Sequence, residues 1–135
     1  MNLTKSLGIS AAGMAAQTTR LRVIAENLAN QDSTGSTPGG SPYRRKTVAF
    51  VDRMDRALGT ETVAIGKIGQ DPSAFPLRYD PGSPAADAKG YVRTPNVNSF
   101  VEVMDMREAE RSYNANLAVM QVSRGMLTRA IDMLK

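Results

Sequence analysis

The sequence predicts a mainly α protein with a small β-rich insert: two long terminal helices with short strands between them. Three observations carry that prediction. Apolar residues from Leu3 to Leu28 recur at alternating spacings of three and four, the pattern of one helical face. A second stripe of the same kind runs from Tyr113 to Leu134. Between them, short runs of alternating apolar residues are separated by clusters of Gly, Pro, Ser and Asp, the punctuation of strands and turns. The chain thus divides into a helix over 1–30, a loop over 31–42, an insert over 43–98 and a helix over 99–135.

In the first segment Leu7, Met14, Leu21 and Leu28 recur every seven residues, and Leu3, Ser10, Gln17 and Ile24 form the second seam. This is a coiled-coil stripe with two polar seats. Gly8 and Gly13 lie inside it, each costing about 1 kcal/mol against alanine. A helix of ~28 residues is about 42 Å long, and it owes most of its stability to packing of its apolar face. It is therefore expected to need a partner. Ala11, Ala12, Ala15, Ala16, Ala25 and Ala29 would let neighbouring helices approach closely. Asn27 and Asn30 are assigned to helix termination and to hydrogen bonds between subunits, because Asn competes locally for backbone groups.

Residues 31–42 are almost all turn formers and read as a flexible loop. Strands are expected over Tyr43–Val51, Thr62–Ile68, Phe75–Tyr79 and Gly90–Thr94, with Pro76 pushing the third to a sheet edge. Leu58-Gly59-Thr60 and Asp80-Pro-Gly-Ser-Pro84 read as turns. Ser99-Phe-Val-Glu102 fits a capping box opening the second helix. There Tyr113, Leu117, Met120, Leu127, Ile131 and Leu134 form the stripe, with Arg124 its exception, and Val119, Met126, Ala130 and Met133 widen it.

The insert has too little apolar surface to cover two helices of this length. Both stripes are therefore expected to seek other chains, which makes Leu3, Leu7, Met14, Leu21, Ile24, Leu28, Tyr113, Leu117, Met120, Leu127, Ile131 and Leu134 the candidate subunit interface. A helical hairpin folded on itself is the plainer alternative.

Composition excludes much else. With no cysteine and no histidine among 135 residues, disulfides, Cys–His and Ser–His–Asp catalysis and the usual zinc sites all lose a required residue type. Asp105, Glu108 and Glu110 alternate with Arg107 and Arg111 and read as ion pairs on a helix. Asp87-Ala-Lys89-Gly90 lacks phosphate-loop spacing. No catalytic, cofactor-binding or metal-binding residue is assigned, and no enzyme activity is expected. The net charge of +4 is concentrated before Asp52. Arg44-Arg45-Lys46 reads as a solvated strand end, because no second basic cluster extends it into a nucleic-acid stripe. No apolar run approaches the ~20 residues of a membrane span. The start is similar to a secretory leader, but the heptad begun at Leu3 continues in phase to Leu28, so the segment is expected to be retained.

Ile24-Ala-Glu-Asn-Leu-Ala-Asn30 resembles the Asn-rich signature that ends the first helix of flagellar axial proteins. Three further blocks look like the pattern of the flagellar basal-body rod family, and of its proximal rod members in particular. They are Pro42-Tyr-Arg-Arg-Lys46, the run from Asp80 to Asn98, and Glu108-Ala-Glu-Arg-Ser-Tyr-Asn-Ala-Asn116. The residues that carry the likeness are Asn27, Leu28, Ala29, Asn30, Tyr43, Arg44, Lys89, Gly90, Tyr91, Pro95 and Asn96. The resemblance implies a non-catalytic subunit of a rod that transmits torque, with terminal helices in an inner coiled-coil tube and a β domain outside. It implies type III export without a cleaved leader and assembly in the periplasm. The implied neighbours are further copies, other rod proteins, the adaptor at the rod base and the membrane-embedded ring. Termini that stay unfolded until those neighbours arrive would suit such a route, and Gly8 and Gly13 are expected to weaken the first helix to that end. From the residues alone, a free-standing coiled-coil adaptor or homodimer, or a small basic nucleic-acid binder, are the competing classes.

Overall fold

The computed structural model describes residues 2–134. Its elements run α1 (Leu3–Ala29), β1 (Lys46–Asp55), β2 (Thr60–Gln70), β3 (Leu77–Tyr79), β4 (Tyr91–Arg93) and α2 (Ser99–Asp132). Along the chain two long helices flank two small two-stranded sheets, β1–β2 and β3–β4, as the fold class predicts.

Three of the four helix ends carry an asparagine cap. Asn2 Oδ1 accepts from the Lys5 amide at 3.2 Å, satisfying one of the free N–H groups that open α1. At the other end the Asn30 side chain donates to the Glu26 carbonyl at 2.8 Å, so Asn30 terminates the helix as expected. The cap of α2 lies one residue earlier than the capping box places it. Asn98 Oδ1 accepts from the amides of Phe100 and Val101 at 3.0 and 3.4 Å. Glu102 does not reach back to the helix start, because its carboxylate is drawn inward by Arg45.

The chain forms two compact units, and each draws on both helices. The first comprises Met1–Leu21, Val48–Lys67 and Met106–Lys135, of which Met1 and Lys135 lie outside the described residues. Here α1 and α2 run antiparallel. Ser6 Oγ stands 3.1 Å from Ser123 Oγ, and seven residues along one helix and back along the other, Gly13 faces Asn116. A Cβ on Gly13 would lie 2.8 Å from the Asn116 amide oxygen. The buried seam is small and polar, with Ser10, Ala16, Ala109 and Ser123 inside it. Gly8 likewise admits a neighbour, the Leu58 side chain at the tip of the β1–β2 ribbon. Both glycines are close-approach positions, which corrects the expectation that they serve to loosen the helix. The ribbon turns at Gly59, whose φ of 60° suits glycine, and Asp55 Oδ1 fixes the turn by accepting from the Ala57 and Leu58 amides.

The second unit comprises Arg22–Thr47 and Ile68–Asp105. In it β3 and β4 pair antiparallel, with Leu77 opposite Arg93, Arg78 opposite Val92 and Tyr79 opposite Tyr91. Pro76 precedes the paired residues, and its carbonyl accepts from the Thr94 amide at 2.9 Å. Gly90 has a φ of 83°, and the Tyr79 and Tyr91 rings meet edge to face at 5.3 Å. The 31–42 segment is irregular but tied down rather than loose, since the Tyr43 amide donates to the Ser33 carbonyl at 2.9 Å and the Gly39 amide to the Ala85 carbonyl at 3.2 Å. Val23, Ile24, Ala85 and Val92, with Pro42 and Pro95, are buried apolar side chains of this unit. That is a thin apolar core, and polar groups do the rest.

Candidate functional site

The second unit is organised around a buried polar knot. Asn27, 1% exposed, uses its whole amide. Its oxygen accepts from the Tyr43 hydroxyl and the Lys46 amide, both at 2.9 Å, while its nitrogen donates to the Lys46 carbonyl at 3.0 Å and to Glu102 Oε2 at 3.2 Å. Glu102 is fully buried. Its second oxygen accepts from Arg45 Nε at 2.5 Å, and the same guanidinium faces Asp71 and Asp105, each at 3.6 Å. A buried carboxylate persists only when paired and hydrogen-bonded, and here one cation and one amide supply both conditions.

The neighbouring basic residues are engaged in the same way. Arg44 donates to the carbonyls of Asp71 and Ser73 at 2.7 and 3.0 Å, and its guanidinium carbon lies 4.1 Å from the centre of the Phe75 ring, within cation–π range. Lys46 pairs with Glu26 at 2.8 Å. Asn96 accepts from the Arg45 amide at 2.8 Å and donates to Ser73 Oγ at 3.0 Å. The basic triplet is therefore not a solvated strand end. Its charges are committed within the chain, which leaves the nucleic-acid reading without a patch.

The titrating groups reflect these contacts. Burial pulls the Arg45 guanidinium down, but the hydrogen bond and charge of Glu102 outweigh it and leave the group raised. Burial raises the Tyr43 phenol. The hydrogen bond from Lys46 holds the Glu26 carboxyl below its ordinary value, and Glu26 in turn raises Lys46. Asp71 is held low by the Ser73 hydroxyl and amide, and Asp87 by the amides of Tyr91 and Lys89.

Four of the family residues, Asn27, Tyr43, Arg44 and Asn96, thus meet in one place. Pro95 is buried beside them in sequence, and Gly90 and Tyr91 shape the β3–β4 connection. Leu28 is half-buried, while Ala29 and Lys89 are exposed. Asn27 spends its hydrogen bonds inside the chain rather than between subunits. Asp71 is not anticipated from the sequence, which assigns Glu102 and Arg45 to a helix cap and a solvated strand end rather than to each other. The available signal was Glu102 itself: with Met106, Ala109, Tyr113, Asn116, Met120 and Ser123 it makes a second three-and-four stripe, one in which polar and small residues alternate with Met and Tyr.

The candidate interface residues are dispersed. Ile24 is buried, whereas Leu3, Leu7, Met14, Leu21, Leu28, Tyr113, Leu117 and Met120 are half-buried. Leu127, Ile131 and Leu134 are exposed. In the first unit the last turns of α2 leave large apolar side chains in solvent, Val122 at 57% and Ile131 at 50%. An open groove of about 360 Å³ there is lined by Leu3, Ala118, Val119, Val122 and Met126 with Ser6 and Ser123. In the second unit Phe100, at 75%, and Met104 are exposed on the first turns of α2. No group of His, Cys, Asp and Glu able to hold a metal occurs among the described residues. No helix among them is long and apolar enough to cross a membrane.

Residues 88–133 match the model of the flagellar basal body rod FlgEFG protein C-terminal family. Over its length the chain is similar to proteins called flagellar basal-body rod protein FlgC. It is 50% identical to that of Agrobacterium fabrum, covering 98% of this chain and 96% of the relative. It is 38% identical to that of Salmonella typhimurium, covering 98% of each, and 36% identical to that of Bacillus subtilis, covering 100% of each.

Proposed function

The chain belongs to the FlgC family of flagellar basal-body rod proteins, and on that premise we propose that it builds the rod by polymerising through its terminal helices. It is a structural component of the flagellar basal body, not a member of an enzyme class. The observation that carries the helical route is the row of large apolar side chains left in solvent by the last turns of α2. Exposed apolar surface of this extent on a small chain marks an association site. Heptad-spaced side chains interlock over a long seam, which suits a shaft that resists shear while it transmits torque.

The partners follow from that placement: further copies, other rod proteins, the adaptor at the rod base and the membrane-embedded ring. The subunit works in the periplasm after leaving the cytoplasm through the flagellar export channel, its first helix retained. Nothing favours the free-standing adaptor or homodimer. Leu127 is exposed, so Leu127→Asp tests the seam without burying a charge. Cells whose only copy carries it should lack rods and fail to swim, with the polar knot intact in the purified chain. Normal swimming would exclude the helical route.

A further inference from the structure

Besides its other two stripes, α2 carries a solvent-facing row at the same alternating spacing. It opens with Val101, Met104, Glu108 and Arg111, and it closes with Val122, Gly125, Arg129 and Asp132. All of these are exposed except Gly125, which is half-buried. Two features of the row serve nothing within the chain. Gly125 stands inside a helix, where glycine is a poor choice, and a Cβ there would meet nothing within 4 Å. Gly8 and Gly13, by contrast, each admit a neighbour. An open hollow of about 420 Å³ lies over Gly125, walled by Val122, Met126 and Arg129. The charges are unused as well. Glu108 and Arg111, expected to pair along the helix, do not, and neither they nor Arg129 enter an ion pair among the described residues.

The opening and closing quartets match each other at an offset of three heptads. Whole heptads keep like seats facing in a parallel pair of helices. At three, Val101 faces Val122, Met104 fills the notch at Gly125, Glu108 meets Arg129 and Arg111 meets Asp132. With no offset Glu108, Arg111 and Arg129 each meet their own kind. Offsets of one or two heptads set every charge against Val, Met, Ala or Gly. Charge complementarity of this kind fixes register between partners. We propose that the start of α2 in one copy docks on the end of α2 in a second copy, parallel and three heptads out of step. The proposal rests on the reading of this chain as a rod subunit, and it names the partner as another copy of the chain. Because the two surfaces differ, the contact is head-to-tail and stays open to further copies.

A charge exchange in cells tests this. Glu108→Arg and Arg129→Glu each bring like charges together, so either should leave basal bodies without rods and stop swimming. Both positions are exposed and unpaired, and the purified variants should keep the dichroism and urea midpoint of the parent. Carried on one chain, the two changes rebuild the pair in reverse, and swimming should return. The chain lacks cysteine, so rods built with Met104→Cys/Gly125→Cys should give a ladder of dimers and longer products on oxidation, and either change alone should give none. Single reversals that swim, an exchange that does not rescue, intact rods without a ladder, or a dimer from Gly125→Cys alone each overturn the docking of copy on copy. If Leu127→Asp stops swimming and Glu108→Arg does not, the helical route stands and this docking falls. If cells with either change swim, both fall.

Discussion

Asn27→Asp is the sharpest single test of the polar knot. The side chain keeps its shape and both acceptor bonds, from the Tyr43 hydroxyl and the Lys46 amide. It loses both donor bonds, so the Lys46 carbonyl is orphaned and a carboxylate oxygen faces Glu102 Oε2 across the 3.2 Å that the amide now bridges. Leaving a buried polar group unmade costs about 1–3 kcal/mol, and an uncompensated buried charge costs about 3–5 kcal/mol. Arg45 beside Glu102 absorbs part of the second cost, so the sum is about 4 kcal/mol at neutral pH. With a urea slope of roughly 1.5 kcal/mol per molar, the midpoint should fall by about 2–3 M, read by dichroism and tyrosine fluorescence. The carboxylate of Glu102 raises the introduced group's folded pKa above its unfolded value. The destabilisation is therefore full at high pH and relieved as pH falls, because the protonated acid donates again. Asn27→Ala should lose about 3 kcal/mol, with no such recovery. A midpoint within about 0.5 M of the parent, or a deficit equally large at both ends of the pH range, would refute the reasoning.

Other outcomes follow from the same contacts. Gly90→Ala forces a residue with a Cβ to a φ of 83° and places that Cβ 2.9 Å from Tyr79 Cε2; a loss of about 1–3 kcal/mol in urea unfolding is expected. Asp71 and Asp87 are held below their ordinary value of 3.8. Their contribution is complete above about pH 4 and is lost as pH falls through the depressed values. Asp87→Asn should accordingly flatten the acid limb of a near-ultraviolet dichroism titration. Ser6→Cys/Ser123→Cys should close a disulfide under mild oxidation in the dilute monomer, since the two hydroxyl oxygens are 3.1 Å apart. Failure to close would deny the antiparallel register of α1 and α2.

The long elements were legible because repetition averages out local accidents. The stripes through Leu7, Met14 and Leu21 and through Tyr113, Leu117 and Met120 placed both helices, and alternation with turn residues placed all four strands. Which face turns inward was not legible. Periodicity weighed by hydrophobicity selects the large residues, yet the seam closed within the first unit holds Ser6, Gly13, Asn116 and Ser123. Small residues pack backbones closely, and that contact scores nothing on an apolar scale. The same blindness turned Gly8 and Gly13 into weak points rather than notches, since a glycine's neighbour is distant in sequence. Arg45 and Glu102, separated by 57 positions, show why the basic triplet misled: charge is read locally, and its partner came from another helix.

The central claim is that the exposed apolar side chains late in α2 contact another subunit in the rod. A photo-cross-linking residue at Val122, in cells whose basal bodies are then purified, addresses it most directly. The account predicts a covalent adduct between this chain and a second rod subunit, absent when the same group replaces the exposed Lys89. Intact rods that yield no adduct from position 122 would contradict it.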